Sequence, residues 1–476
     1  MPDRLQSLHS TLTRHGQEHV LRYFNELSAA QQQTLFDQLA RIDFTALDEL
    51  IKTYVLQRPR VDLPAKLEPA TFYSCGADGV DAARYRRIGE ELIRNGKIAA
   101  FTVAGGQGTR LGWNGPKGTY PATVVTGKPL FRVFAEQILA TQRRFDANIP
   151  WYIMTSPAND AETRRFFADN NYFGLPNPQR DVFFFPQGEL PSIDSVTGKL
   201  LLADKGSLAM NPDGHGGSIK ALRDSGAIAD MLARGIEHIS YFQVDNPLVR
   251  CIDPLFIGLH AGAADSSAEM SSKMVAKASA DEKVGVFCKA DGKACVIEYS
   301  DLPADLARQT DASGRLRFIA GSIAVHVIGV KFIERLTVDA HHFALPYHRA
   351  DKKVPFVDLN TGAVTEPASP NAVKLEAFVF DAIPLAKSSI VLETQRIEEF
   401  GPIKNASGAD SPATSHQLQS DRAGAWLESR GVKVPRGSDG HVQARIEINP
   451  LTALEADDLK TVELPREIAP GQEIVL

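Results

Sequence analysis

Apolar residues between positions 4 and 57 recur three and four apart, at Leu5, Leu8, Leu12, Val20, Leu21, Phe24 and Leu27. That period lines one face of an α-helix and predicts a helical N-terminal region. Ser28 followed three residues later by Gln31 has the spacing of a capping box and predicts a second helix through Leu35 and Leu39. The prolines and mixed charges of RPRVDLPAKLEP, residues 58–69, read as a linker closing this region.

From about residue 80 the pattern changes. DAARYRRIGEELIRNG is helical in period and stops at Gly96, and KIAAFTVA then gives the short apolar run of a buried parallel strand. The order repeats downstream: helix LFRVFAEQILATQRRF, strand WYIMTS, helix AETRRFFADN, strand VFFFPQ, helix SIKALRDSGAIADMLARG, strand HISYFQVD. Alternating strands and helices with short connections predict an α/β fold with a mainly parallel sheet. In VGVFCKADGKACVIEYSDL two strand-like runs flank Asp291-Gly292, a hairpin signal that makes the sheet mixed. Past residue 405 a stretch rich in Ser, Ala, Asp and Gly precedes short runs such as VQARIEI. The expected organisation is a helical region over 1–78, an α/β catalytic domain over 79–404 and a small β-rich C-terminal domain over 405–476.

Composition narrows the function classes. The 476 residues are 43% hydrophobic and 23% charged, as in an ordinary soluble globular protein. A net charge of -6 argues against a chain devoted to nucleic acid. Four cysteines without a CxxC pair indicate neither a disulfide framework nor a zinc site, so reduced thiols and a cytoplasmic location are expected. The charged N-terminus lacks the apolar core of a signal peptide, and no run approaches the ~18 apolar residues of a spanning helix, so no membrane association is expected.

The densest chemistry lies in AGGQGTRLGWNGPKG, residues 104–118, which holds six glycines, Arg110 and Lys117 directly after a predicted strand. A Walker loop is excluded, because Pro116 separates Gly115 from Lys117 and Gly118 replaces the Ser or Thr. The dinucleotide fingerprint is excluded too, since the step from Gly108 to Gly112 is one residue too long, which also disfavours a nicotinamide-dependent dehydrogenase. Each glycine costs backbone entropy that a close approach must justify. Bare N–H groups with two cations form an anion site.

These residues resemble a known pattern. GGQGTRLGWNGPKG is similar to the GGxGTRLG…PKG signature of the eukaryotic-type UTP-dependent sugar-1-phosphate uridylyltransferases, most closely the UDP-N-acetylhexosamine (UDP-N-acetylglucosamine) pyrophosphorylases. WYIMTS, NYFGLP, QGELP, NPDGHGG, QVDNPLV, IGLHAG, PNAVKLEAFVFD and EEFGPIKNA follow in the family's order, so the resemblance covers about residues 80–410. It implies a Rossmann-like nucleotidyltransferase core and a reaction of UTP with a sugar 1-phosphate that releases pyrophosphate. It implies Arg110, Lys117 and Lys404 as catalytic cations, and Ala104, Gly105, Gly106, Gly108, Thr109, Gln187 and Gly214 as the nucleotide site. His215, Asn246, Gly285, Glu298, Ser322, Phe378 and Phe380 would face the sugar, and Asp245 would ligate Mg²⁺, or Mn²⁺ in its place. The protein would act as a monomer or homodimer.

Two positions depart from the hexosamine pattern: His215 stands where those enzymes carry Asn in PDGNGG, and Ser322 replaces the Asn of their AGN. A histidine in this loop matches the UDP-glucose enzymes, so glucose or galactose 1-phosphate is the alternative acceptor. A sugar phosphate is already ionised at neutral pH, so His215 is read as a hydrogen-bonding residue and not a base. A non-catalytic nucleotide-sugar-binding regulator is the third reading, disfavoured because Arg110, Lys117, Asp245 and Lys404 are all present.

Overall fold

The computed structural model describes residues 2–57, 66–74, 81–338 and 344–476; Cys75 and most of the expected linker lie outside them. The chain divides into two compact units. The first comprises Met1–Asp62, Gln187–Lys220 and Leu336–Asp381, and the second Leu63–Pro186, Ala221–Arg335 and Ala382–Leu476.

In the first unit, helix Pro2–Arg14 carries Leu5, Leu8 and Leu12, but the helical period does not continue as one helix to Leu27: the chain turns at Gly16, φ +64°, and Val20, Leu21 and Phe24 lie in the 3₁₀ turns Glu18–Leu21 and Phe24–Glu26. The expected second helix is Ala29–Ala40, and a further helix, Phe44–Leu50, follows it. The capping box is present: Gln31 N–H donates to Ser28 Oγ at 3.4 Å, and Ser28 N–H donates to Gln31 Oε1 at 3.0 Å. Leu12, Leu35 and Leu39 pack with Ile193, Leu200 and Leu375. Ile193 and Leu375 belong to an antiparallel sheet of Tyr347–Lys352, Ala372–Ala377 and Ile193–Asp194. Burying each such side chain stabilises the unit by about 1.5–3 kcal/mol, so the helices take much of their stability from residues far along the chain.

The second unit is built on a mixed sheet, ten-stranded among the described residues. His238–Gln243, Ile98–Val103, Trp151–Thr155 and Val182–Pro186 form its parallel block, in that order. Ile98–Val103 and Trp151–Thr155 are buried almost throughout, which is why they read as unbroken apolar runs. Ala320–Gly329 joins antiparallel to His238–Gln243 and also pairs with Met270–Ala276. The expected hairpin joins Val286–Ala290 to Lys293–Ile297, with Asp291 and Gly292 both left-handed at φ 49° and 85°.

Two local features differ from the periodic reading. The helix expected over 218–235 is two, Gly217–Asp224 and Ala227–Ala233, interrupted at Gly226 with φ +81°. The helix Asp160–Asp169 runs into a left-handed turn in which Asn171, Tyr172, Phe173 and Gly174 have φ of 48°, 48°, 56° and 77°. Such a conformation costs roughly 1–2 kcal/mol per residue with a side chain. Ring packing of Tyr172 and Phe173 on the buried Phe167, at centroid distances of 6.1 and 5.1 Å, offsets that cost.

The C-terminal region opens with helix Pro412–Glu428, capped by Ser411, and has its own apolar cluster around Trp426, Leu427 and Ile446. Arg445–Glu447 and Glu473–Val475 pair there as short parallel strands. Among the described residues no helix is long and apolar enough to cross a membrane.

Candidate functional site

In the second unit the glycine loop leaves the Ile98–Val103 strand and is pinned by its own backbone. Ala104 N–H donates to Met154 O at 2.7 Å, Gly108 N–H to Gly115 O at 2.9 Å, and Lys117 N–H to Gly106 O at 3.0 Å. Asn159 Nδ2 donates to Ala104 O at 3.1 Å and Gly106 O at 3.4 Å, a support that nothing in the loop's own sequence announces.

The loop's glycines serve different ends. A Cβ at Gly108 would lie 2.6 Å from Trp113 Cβ, and one at Gly118 2.1 Å from the Phe131 ring. Gly112 and Gly115 have φ of 68° and 146°, where a side chain is strained. At Gly106 neither a left-handed φ nor any atom within 4 Å demands glycine. Thr109 and Arg110 occupy an exposed 3₁₀ turn, Thr109–Leu111, and Lys117 opens another, Lys117–Thr119. Neither Arg110 nor Lys117 has an ion-pair partner among the described residues.

A cavity of about 70 Å³ gathers Gln243, Asp245, Asn246, Ser322, Phe400 and Lys404 past the carboxyl end of the His238–Gln243 strand. Four candidate residues from three segments, Asp245 and Asn246, Ser322, and Lys404, thus line one cavity. Arg110 and Lys117 are not among its lining residues. Asp245 O accepts the Ile403 N–H at 2.8 Å, which brings Lys404 to the cavity. Asn246 is buried and its amide is engaged with main chain: Nδ2 donates to Glu399 O at 2.6 Å, and Oδ1 accepts from Gly401 N–H at 3.1 Å and Leu248 N–H at 3.2 Å. Its role in these contacts is to hold the 399–401 segment.

Below that segment Lys273 is fully buried, with Nζ 2.6 Å from Asp253 Oδ2 and from both Glu399 carboxylate oxygens. Burial pushes the Asp253 carboxyl up, but Lys273 and Arg250 outweigh it and hold the group at about 2. The cluster ties strand Met270–Ala276 and the cap of helix Pro254–Gly262 to the segment that ends in Lys404.

The back of the cavity is a strand irregularity. Ser272 pairs with His326 but Met274 with Ser322, so residues 323–325 bulge, and Ala324 is left-handed at φ 53°. The sequence gives no sign of this, because alanine is not a residue that signals such a conformation. Ser322 N–H donates to Gly285 O at 2.8 Å, and a Cβ at Gly285 would lie 3.6 Å from Glu298 Oε1, so Gly285, Glu298 and Ser322 are neighbours.

Gln187, Gly214, His215, Phe378 and Phe380 belong to the first unit. Here the glycines of DGHGG are required by packing. A Cβ at Gly214 would lie 2.4 Å from Ala377 O, one at Gly216 2.6 Å from Phe378 N, and one at Gly217 2.1 Å from Asp213 Oδ1. The loop is therefore pressed onto the 376–379 backbone, and His215 Nδ1 accepts the Val379 N–H at 3.1 Å. That bond leaves the neutral ring with its proton on Nε2. Burial, with His348 nearby, drives the imidazole pKa down to about 4.

The ring stacks on Phe378 at 5.2 Å and meets Phe380 at 5.7 Å, while His348 stacks on Phe378 at 4.3 Å and contacts Asp381 through Nε2 at 2.8 Å. Gln187 is buried, 9% exposed. Among the described residues no group of three His, Cys, Asp or Glu side chains could hold a metal by itself. Asp245 is a single hard oxygen donor, which suits a cation that keeps most of its shell for water and phosphate.

Residues 81–422 match the family described as UTP–glucose-1-phosphate uridylyltransferase. The chain is 36% identical over 502 aligned residues to UDP-N-acetylhexosamine pyrophosphorylase-like protein 1 of Xenopus tropicalis, covering 98% of this chain and 97% of that one. It is 37% identical over 438 residues to UDP-N-acetylglucosamine pyrophosphorylase of Saccharomyces cerevisiae, covering 90% and 89%. The crystal structure of the Trypanosoma brucei uridine diphosphate N-acetylglucosamine pyrophosphorylase in complex with inhibitor has a TM-score of 0.80 at 27% identity, covering 100% of this chain and 98% of that one. UDP-glucose phosphorylase of the same organism shares the fold, with a TM-score of 0.61 at 17% identity over 91% and 87% of the two chains.

Proposed function

Because the chain belongs to the UTP–glucose-1-phosphate uridylyltransferase family, we propose that it joins UTP and N-acetylglucosamine 1-phosphate, or N-acetylgalactosamine 1-phosphate, into UDP-N-acetylhexosamine and pyrophosphate. It is a uridylyltransferase. A phosphate oxygen of the sugar 1-phosphate attacks the α-phosphorus of UTP, a new P–O bond forms, and the bond to the β-phosphate breaks with its electron pair leaving on pyrophosphate. Such chemistry asks for positioning and charge neutralisation more than for an enzyme nucleophile.

The observation that carries this reading is the glycine loop: it holds two cations that have no ion-pair partner among the described residues, and one glycine, Gly106, that no neighbour within 4 Å and no dihedral requires. A ligand lying against the backbone is what such a glycine permits. Arg110 and Lys117 would bind the triphosphate and stabilise the departing charge, and Lys404 would reach the phosphates from the cavity. Asp245 would be the protein ligand of a Mg²⁺ ion, which when bound supplies further neutralisation of phosphate charge. Gln187 and Gly214 would meet uracil. His215 offers one donor, Nε2–H, to a sugar hydroxyl or phosphate, and the rings of Phe378 and Phe380 suit an N-acetyl methyl. The four scattered cysteines, which form no CxxC pair, fit a reducing compartment, the cytoplasm.

His215 and Ser322 favour a second reading, in which glucose or galactose 1-phosphate is the acceptor. A panel of glucose, galactose, N-acetylglucosamine and N-acetylgalactosamine 1-phosphates with UTP and Mg²⁺ separates the two. The highest kcat/KM is expected for an N-acetylated sugar. Preference for a plain hexose would move the assignment to a UDP-hexose product, and UTP binding with no pyrophosphate release on any sugar would end the catalytic reading.

A further inference from the structure

Lys404 lines the cavity that holds Asp245 and Ser322, yet its ammonium is directed to a residue outside that lining: Nζ lies 3.6 Å from Asp410 Oδ2. The two side chains issue from one turn, because Asp410 O accepts both Lys404 N–H at 2.6 Å and Asn405 N–H at 3.0 Å. The turn is anchored on both flanks. Ser411 caps helix Pro412–Glu428, and Ser415 Oγ donates to Gly401 O at 2.7 Å. Both side chains are 38% exposed, so the pair is weak enough to open by side-chain rotation without unfolding the turn.

We propose that Asp410 is the built-in counter-ion of Lys404, a positioning residue that holds the ammonium until a substrate phosphate replaces it. This rests on the uridylyltransferase reading of Lys404. A phosphate carrying more than one negative charge wins the ammonium from a single half-exposed carboxylate, so the pair sets how tightly phosphate is held as substrate and how readily it leaves as product. Asp410 therefore competes with the ligand for one cation.

The test is Asp410→Asn in the full chain. Asp410 is left-handed at φ 54°, a conformation asparagine tolerates, so the variant keeps the turn and removes only the charge. Calorimetric titration with inorganic pyrophosphate is expected to show binding tightened roughly two- to fivefold, the size of a half-exposed ion pair, and the KM for phosphorylated substrate should fall in parallel. In a Lys404→Met background the same substitution should change neither quantity. Weaker or unchanged binding in Asp410→Asn, an equal effect in the Lys404→Met background, or no pyrophosphate binding by the parent protein would each overturn the proposal. A parent that binds pyrophosphate with this Asp410 dependence but never turns over UTP would sink the catalytic assignment and leave the counter-ion standing.

Discussion

A methyl group added at Gly216 would sit 2.6 Å from the backbone of Ala377 and Phe378, whereas one added at Gly106 would touch nothing within 4 Å. The loops that contain them are both glycine-rich, and composition alone does not tell them apart. In the 213–217 loop glycine lets two pieces of the same chain meet, and the gain is one histidine locked by Val379 and stacked on Phe378. In the 104–118 loop some glycines pack against Trp113 and Phe131, but Gly106 serves neither packing nor backbone conformation. Glycine thus marks a close approach, and only the structure says whether the approaching atoms belong to the protein.

The contrast is open to direct attack. Arg110→Ala should lower kcat for pyrophosphate release by roughly 10²–10³-fold, the usual cost of losing one preorganised donor to developing charge. Its melting temperature should stay at the parent value, since an exposed side chain with no ion-pair partner among the described residues contributes little to folding. A loss below tenfold would take Arg110 away from the departing pyrophosphate.

Next in size is the glycine pair. Gly216→Ala should cost about 1–3 kcal/mol in urea unfolding through overpacking. Gly106→Ala should change stability by less than about 0.5 kcal/mol while raising the KM for UTP. If Gly106→Ala destabilises the protein as much as Gly216→Ala, the two loops do not differ in kind.

The smallest effect is in pH dependence. His215 is held neutral, with a folded pKa of about 4 against roughly 6.5 in an unfolded chain. Below pH ~6.5 the unfolded chain binds a proton that the folded one refuses, so this contribution to stability is whole above pH ~6.5 and drains as pH falls toward 4. His238, also held at about 4, and its neighbour His260, held well below its usual value, act in the same direction. His215→Asn should therefore shrink the acid-side slope by at most about one proton without abolishing it. An unchanged slope would mean that His215 is not shielded.

Much of this was legible in the chain. The parallel strands are buried on both faces and announce themselves as apolar runs, and Asp291-Gly292 and Ser28–Gln31 carry local chemistry that dictates a turn and a cap. What escaped was non-local. The amphipathic period runs straight across Gly226, so the break between two helices is invisible to it. The bond from Val379 to His215 spans 164 residues, and the Ala324 bulge arises from pairing with Met270–Ala276. Asp410 sits in a polar stretch where no spacing distinguishes it from a solvated loop carboxylate. The resemblance pointed to Lys404, but not to the residue that restrains it.

The first unit is assembled from three separated stretches of chain, and Leu35 near the start packs in one cluster with Leu375. A ribosome adding about 5–20 residues per second needs roughly 20–70 s to travel between them. For that interval the N-terminal helices have at most Ile193, Leu200 and their neighbours to cover their apolar face, while the parallel block of the second unit is already being made. Any nascent chain that stops short of residue 372 leaves those helices without the strand that joins the other two of their sheet, which makes the beginning of this protein strongly dependent on its synthesis being finished.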